Sequence, residues 1–438
     1  MDSQTTPPVA SPLRRRQILA VAAGNALEFY DFLTYAFFAV QIGRTFFPSS
    51  SAHGSLLAAL ATFGAGFLTR PLGAWVIGRM GDRRGRKPAM MLSFSLIGVA
   101  VAGLALTPSY ASIGIAAPIL AICFRMLQGF AVGGEVGPSS AFLIEAAPRL
   151  RRGLYTAIQP MTADLSVLVA GLVGLLLANL LSDAALTAWG WRLALLLGVA
   201  IVPLGLALRG SLEETLQRED DIAPQAGKHQ TGKRPAGGGA GSLAPIALLG
   251  IALLASATIS NYTLTYLTTY AVTTLAMPTR LAFGATILVG LAGVICDPLG
   301  GWLSDRFGRK PVLIVPACVL LVLVVPCFHL LAALRTPAAL YATALVLGCC
   351  STLSTVSTLV VIVEALPRSA RSGGLSLIYA VSIAVFGGSA QFVIAWLIDA
   401  TGNPVAPAYY LAASLLVGLV AMACLRETAP ARIDARRA

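Results

Sequence analysis

The sequence predicts an all-α membrane protein of twelve transmembrane helices arranged as two pseudo-symmetric six-helix bundles. Three observations carry that expectation: a very apolar composition, twelve apolar stretches in succession, and a loop motif that occurs twice. Of 438 residues, 57% are hydrophobic and 11% charged, whereas soluble domains carry about 25% charged residues. Apolar stretches recur near residues 17–40, 55–79, 89–107, 112–144, 154–181, 192–208, 243–271, 281–303, 310–332, 338–363, 372–398 and 406–425. Each can cross about 30 Å of hydrocarbon as a tilted helix. Helix is the form required, because lipid offers no partner to an unsatisfied backbone N–H or C=O.

A net charge of +12 suits a nucleic acid, a membrane surface or a topological bias, and the placement of the basic residues decides between them. With the N-terminus inside, 25 of the 31 Lys and Arg residues fall in cytoplasmic segments. The outer loops hold Arg44, Arg192, Arg280 and Arg335, and the predicted spans hold Arg70 and Arg125. The positive-inside bias then puts both termini in the cytoplasm of a multi-pass protein of the bacterial inner (plasma) membrane. No nucleic-acid partner is implied.

All seven cysteines lie in apolar spans, where they act as small hydrophobes rather than as disulfides or ligands. His53, His229 and His329 are too scattered to suggest a metal motif. Arg14-Arg15-Arg16 before an apolar run resembles a twin-arginine export signal, but Glu28 and Asp31 within that run point to a retained first helix.

The repetition is specific. Gly78-Arg79-Met80-Gly81-Asp82-Arg83-Arg84-Gly85-Arg86-Lys87-Pro88 joins spans two and three, and Gly301-Trp302-Leu303-Ser304-Asp305-Arg306-Phe307-Gly308-Arg309-Lys310-Pro311 joins spans eight and nine. Glu145-Ala146-Ala147-Pro148 with Arg152 after span four matches Glu364-Ala365-Leu366-Pro367 with Arg371 after span ten. The offsets, 223 and 219 residues, agree on one duplication. Between the copies, 209–242 is rich in charge, Gly and Pro and reads as a cytoplasmic linker. The expected domains are therefore a bundle over 1–208 and a second over 243–438.

These residues resemble the major facilitator superfamily, whose cytoplasmic loop motif is the doubled G-x-x-x-D-R-x-G-R-K segment. Gly24-Asn25-Ala26-Leu27-Glu28-Phe29-Tyr30-Asp31, Phe67-Leu68-Thr69-Arg70-Pro71-Leu72-Gly73, Arg125-Met126-Leu127-Gln128-Gly129-Phe130 with Gly133-Gly134-Glu135, Trp189-Gly190-Trp191-Arg192 and Phe386-Gly387-Gly388 look like the metabolite:proton symporter family. Within it the sequence is most similar to citrate and tricarballylate proton symporters, with α-ketoglutarate permeases close behind. The resemblance implies transport by alternating access.

Charged side chains in a bilayer core cost about 2.5–3.5 kcal/mol each on insertion scales, so those present usually line a cavity or pair with one another. Asn25, Glu28 and Asp31 recur every three residues on the first span and are expected to form one polar stripe facing a central cavity. Arg125 approaches the same depth on span four. A carboxylate that exchanges a guanidinium for another partner changes its proton affinity, so Glu28, Asp31 and Glu135 are the proton-coupling candidates; a permanent Glu28–Arg125 ion pair is the structural alternative. Glu135 lies ten residues from Arg125, about 15 Å along a helix, which favours a bridge to Arg70. Alternatively, Arg70 presents its planar donor fork to a substrate carboxylate.

Asp82, Arg83, Arg86, Asp305, Arg306 and Arg309 are expected to form a cytoplasmic gate, since anchoring by basic residues alone does not require Asp at the same place twice. Asn261, Tyr262, Thr265, Tyr266 and Thr269 make a polar stripe on span seven, read either as helix glue or as substrate contacts, as is Gln159 on span five. The substrate-binding set is Asn25, Arg70, Arg125, Gln159, Tyr262 and Tyr266. Asp164 and Asp297 depart from the family pattern and lack an evident local partner.

The reading that follows is a monomeric symporter importing a small organic acid, a di- or tricarboxylate such as citrate or tricarballylate, with protons. Its partners are that anion, protons and membrane lipid, with no cofactor and no metal. Alternatives are import of α-ketoglutarate or another mono- or dicarboxylate, drug:proton export, which Arg70 and Arg125 disfavour, and a non-transporting sensor, which the short tail 426–438 disfavours. No nucleophile motif or extramembrane domain suggests an enzyme.

Overall fold

The computed structural model describes residues 15–133, 147–210, 244–367, 371–430 and 432, and all regular structure among them is helical. Ten helices are long and apolar enough to cross a bilayer. Two more of comparable length, Arg15–Phe37 and Trp191–Gly210, complete a set of twelve. In chain order they are α1 (Arg15–Phe37), α2 (Ala52–Leu68, continued by Arg70–Arg84), α3 (Arg86–Leu106), α4 (Ala116–Gly133), α5 (Arg152–Thr156, continued by Ile158–Leu180) and α6 (Trp191–Gly210). The second half holds α7 (Ala244–Thr265, continued by Leu267–Thr273), α8 (Thr279–Phe307), α9 (Arg309–Leu334), α10 (Pro337–Thr355, continued by Thr358–Ala365), α11 (Arg371–Ser382 with Gly388–Thr401) and α12 (Ala406–Cys424). The linker expected over 209–242 lies, apart from its first two residues, outside the described residues, as does Glu135.

The duplication reaches down to the backbone. Gly85 before α3 has φ 108° and ψ 150°, and Gly308 before α9 has φ 103° and ψ 159°. This region is essentially closed to residues with a Cβ, which accounts for the glycine in both motif copies. Each glycine lets one helix end and the next begin within a single residue, so the arginine after it starts a helix.

Helix ends without water need polar partners. At the C-terminal end of α3, Arg192 Nη1 donates to the carbonyls of Ala105 and Thr107 at 2.5 and 2.6 Å, a cation on a helix C-terminus. Within the first half, Asn25 and Tyr30 of α1 donate to the α5 and α6 backbones, the small polar links expected between helices in lipid.

The halves meet mainly where α5 runs along α8 and α2 along α11. Both contacts are made by residues that bring backbones together. A Cβ at Gly174 or Gly171 has no room against Phe283 and Ile287 at one end of α5, and Gly153 and Gly301 are pressed together at the other. Gly64 of α2 lies on the Gly388 carbonyl of α11, just after a π-helical turn over Ile383–Gly387 that widens α11 locally.

The chain beyond α12 is tied to α9. Glu427 Oε1 accepts from Arg309 N at 2.9 Å and Oε2 from Lys310 N at 3.0 Å, capping orphan donors of a helix N-terminus. Burial raises the Glu427 carboxyl, but backbone N–H donors from Ala429, Arg309, Lys310 and Thr428 outweigh it and hold the group below its ordinary value. A depressed carboxyl contributes stability above the unfolded value and loses it as pH falls through the folded one. Glu427→Gln should therefore lower amide protection at Arg309 and Lys310 in neutral buffer, and acidification should lower it in the native protein relative to the slower intrinsic exchange in acid; hydrogen–deuterium exchange checks both.

Candidate functional site

The site begins at a break in α2. Pro71 has no N–H to give the preceding turn, and α2 is interrupted at Thr69, whose hydroxyl donates across to Met126 O of α4 at 2.7 Å. Arg70 sits at that break and is buried. Its guanidinium carbon lies 4.6 Å from the Phe32 ring centroid and 4.3 Å from that of Phe67. Arg125 of α4, fully buried, approaches Phe32, Tyr35 and Phe63 at 4.5, 4.4 and 5.0 Å. The Phe32 ring is shared by two cations close enough to repel each other, and the electron-rich face of an aromatic ring makes such a pairing tolerable.

Arg125 Nη1 donates to Gln128 Oε1, while its Nε and Nη2 have no hydrogen-bond partner, and neither does Arg70 Nε. The second half completes the enclosure: Tyr262 of α7 packs against Phe63 and Phe67 at 6.0 and 5.9 Å. Tyr379 of α11 lies within electrostatic reach of Arg70 and Glu28. Two planar donor forks with unused N–H groups thus lie beside tyrosines of the opposite half, and such forks can donate to a carboxylate.

The expected common stripe on α1 does not form. A three-residue step on a helix of 3.6 residues per turn drifts by about 60° each time, so the side chains diverge. Asn25 Nδ2 donates to Gln159 O and Thr162 Oγ1 of α5 at 3.1 and 2.7 Å. Glu28 turns toward Tyr379. Asp31 is pressed against Gly198 of α6, inside the first half. The Glu28–Arg125 ion pair, the structural alternative, is absent: Arg125 bonds Gln128 instead.

The α7 stripe divides as well. Tyr262 enters the arginine site, Thr265 accepts from Gln391 Nε2 of α11 at 3.2 Å, and Asn261 lines a separate cavity. Tyr266 does not reach the arginines; it packs in the apolar core of the second half with Leu267 and Tyr270. Gln159 is buried, its backbone carbonyl taken by Asn25.

At the motif end, Asp305 accepts from the backbone N–H groups of Gly153 and Leu154 at 2.8 and 2.9 Å, so a carboxylate of the second half caps the first turn of α5 in the first half. Arg309, fully buried, donates from Nη1 to Asp305 at 2.7 Å and from Nε to Glu364 at 3.3 Å. Arg152 of α5 stands 4.0 Å from Glu364. Of the residues expected there, Asp305 and Arg309 are in this network. Arg306 is not: it is exposed and lies over Trp302 and Phe307. Arg83 is on a surface groove with Trp75 and Arg79, and the side chains of Asp82 and Arg86 lie outside those described. Glu364 and the Gly153–Leu154 backbone are participants that the doubled motif alone did not identify, although Glu364 belongs to the second repeated segment.

Comparison with known proteins bears on the family and the fold. Residues 17–228 match the family described as Sugar (and other) transporter, and residues 281–437 match the Major Facilitator Superfamily. The citrate-proton symporter of Klebsiella pneumoniae is 34% identical over 443 residues, covering 100% of this chain and 98% of its own. The alpha-ketoglutarate permease of Escherichia coli (strain K12) is 32% identical over 394 residues, covering 90% and 89%. Among solved structures, a D-xylose-proton symporter superposes with a TM-score of 0.72 at 18% identity, covering 95% of this chain and 98% of that one. Twelve helices in two duplicated halves, glycine-hinged motif loops and full-length relatives together show that the chain belongs to the major facilitator superfamily of membrane transporters and is not an enzyme.

Proposed function

We propose that the protein is a proton-coupled symporter that imports a small organic acid, a di- or tricarboxylate such as citrate or tricarballylate, across a bacterial inner membrane by alternating access. The motif end is taken as cytoplasmic, with both chain termini on that side. The observation that carries this reading is the pair of buried guanidiniums, Arg70 and Arg125, sharing Phe32 and keeping unused N–H donors. A carboxylate satisfies those donors, whereas an amine adds a third positive charge. The printed names of the citrate-proton and alpha-ketoglutarate relatives support the same substrate class.

Coupling follows from charge. Glu28 shares the neighbourhood of Tyr379 with Arg70, so a proton on Glu28 leaves more net positive charge there for an anion. Anion binding in turn favours the proton, by the reciprocity of linked equilibria. Departure of Tyr262 as the halves separate opens the site to one side, and the Asp305 cap on α5 holds the motif end shut until it is released.

Counterflow in proteoliposomes preloaded with citrate, tricarballylate, α-ketoglutarate or an amine tests the assignment; accumulation driven by the amine alone would overturn it. Arg125→Lys keeps the charge but loses the fork and the ring stacking, and should weaken apparent carboxylate affinity by at least about tenfold, roughly 1.5–3 kcal/mol. Glu28→Gln should abolish accumulation under a proton gradient while exchange of labelled substrate continues. Asp305→Asn removes a charge-assisted cap, so the ratio of open to closed protein, read from spin-label distances across the motif end, should rise by about tenfold or more.

A further inference from the structure

Asp164 of α5 and Asp297 of α8 come from opposite halves and line one internal cavity, whose other polar groups are Asn261, Ser351, Thr352 and Thr355. Asp297 is 1% exposed, and neither of its carboxyl oxygens meets a donor. What it faces is the Asp164 carboxyl, close enough for repulsion and for a hydrogen bond. Asp164 is 8% exposed and is pressed onto Gly293, one turn before Asp297, where a Cβ has no room. Pro298, following Asp297 within α8, removes one backbone N–H from the same stretch.

Among the described residues no basic side chain forms an ion pair with either acid. From α8, Cys296 is the titratable neighbour of Asp297, and the α10 thiols of Cys349 and Cys350 lie next to Cys296. From α7 and α10 the cavity receives only an amide and hydroxyls. On the far side of α5, the α1 residue Asn25 is engaged with Gln159 and Thr162. The cavity is about 70 Å3, and among its lining residues none is a cation for a tricarboxylate. Two touching carboxyls without a counter-ion do not both stay charged, and one shared proton converts their repulsion into a short charge-assisted O–H···O bond.

We propose that Asp164 and Asp297 bind a single proton between them and that this proton clasps α5 to α8 at mid-depth, a proton site separate from Glu28 that exists only while the two halves are together. The proposal deepens the carrier reading above: it rests on halves that move, and it is independent of which substrate they carry. Loss of the proton leaves two facing carboxylates, so the closed seam is favoured in acid and weakens as pH rises. For one proton, the ratio of closed to open protein falls about tenfold per pH unit between the titration of the separated carboxyls and that of the joined pair, and levels off above it.

The test uses the full chain in nanodiscs without substrate, on a cysteine-free background. Spin labels at Leu180 and Arg280 read the α5–α8 separation at one end, and labels at Leu150 and Phe307 read it at the other. The native pair should separate across an acid-to-alkaline titration. Asp164→Asn and Asp297→Asn, whose amide donates without a proton, should stay closed throughout, and Glu28→Gln should titrate like the native protein. Native-like titration in both asparagine variants overturns the clasp, as does its loss in Glu28→Gln alone, or alkaline closure restored by sodium, which would assign a metal cation instead.

Infrared difference spectra should show the carbonyl band of a protonated carboxyl that disappears in either asparagine variant; persistence in both overturns the proposal. If an asparagine variant fails to fold, Asp297→Glu serves, since a shifted band supports the pair and an unmoved band overturns it. Failure of the titration with intact organic-acid counterflow removes the clasp alone. Counterflow of the amine alone removes the substrate assignment and leaves the titration unaffected.

Discussion

A charge placed in hydrocarbon has to be compensated by something within a few ångströms, and most of the interior of this protein follows from how that is done. For Arg125 the compensation is aromatic: Phe32, Tyr35 and Phe63 surround the guanidinium, and only one of its nitrogens bonds a side chain, Gln128. Ring faces attract a cation without consuming its N–H donors, so the group stays buried and keeps its capacity for planar recognition. An ordinary carboxylate salt bridge at the same place would fill the donors that the proposed function assigns to an incoming anion.

The motif end uses the opposite device. There Asp305, Arg309 and Glu364 are bound to one another and to the first turn of α5, and the two halves are joined through fully directional bonds. Removing one member of a buried charged network is costly because the remainder is left uncompensated. Such a network therefore has two well-separated conditions, made or broken, which suits a carrier that exposes its interior to one side at a time.

Between these two regions the α5–α8 seam depends on small residues. Gly153 and Gly301 bring backbones together, Gly171 lies against the Ile287 backbone and side chain, and Gly174 and Gly293 receive the Phe283 ring and the Asp164 carboxyl; lipid-embedded helices associate through that kind of close packing rather than through apolar burial. The same proximity forces Asp164 and Asp297 together. In the proposed clasp, that polar pair is what makes the closed form of this glycine-lined seam depend on pH.

The twelve spans and the duplication, with Gly85 and Gly308 at matching places in its motif, were legible in the chain, because hydropathy and sequence repetition are local properties that a segment carries wherever it is placed. That Arg70 and Arg125 would need buried compensation was legible for the same reason: an arginine in an apolar run must be compensated somewhere. Their partners were not. Spacing suggested that Asn25, Glu28 and Asp31 share a face, yet the helical drift sends them to α5, α11 and α6, and which neighbour waits at each direction is a property of the bundle. Phe32 between two cations, Asp305 on a helix end 152 residues away, and the meeting of Asp164 with Asp297 were decided only by tertiary structure, because contacts between residues so distant in sequence exist only once whole helices have packed.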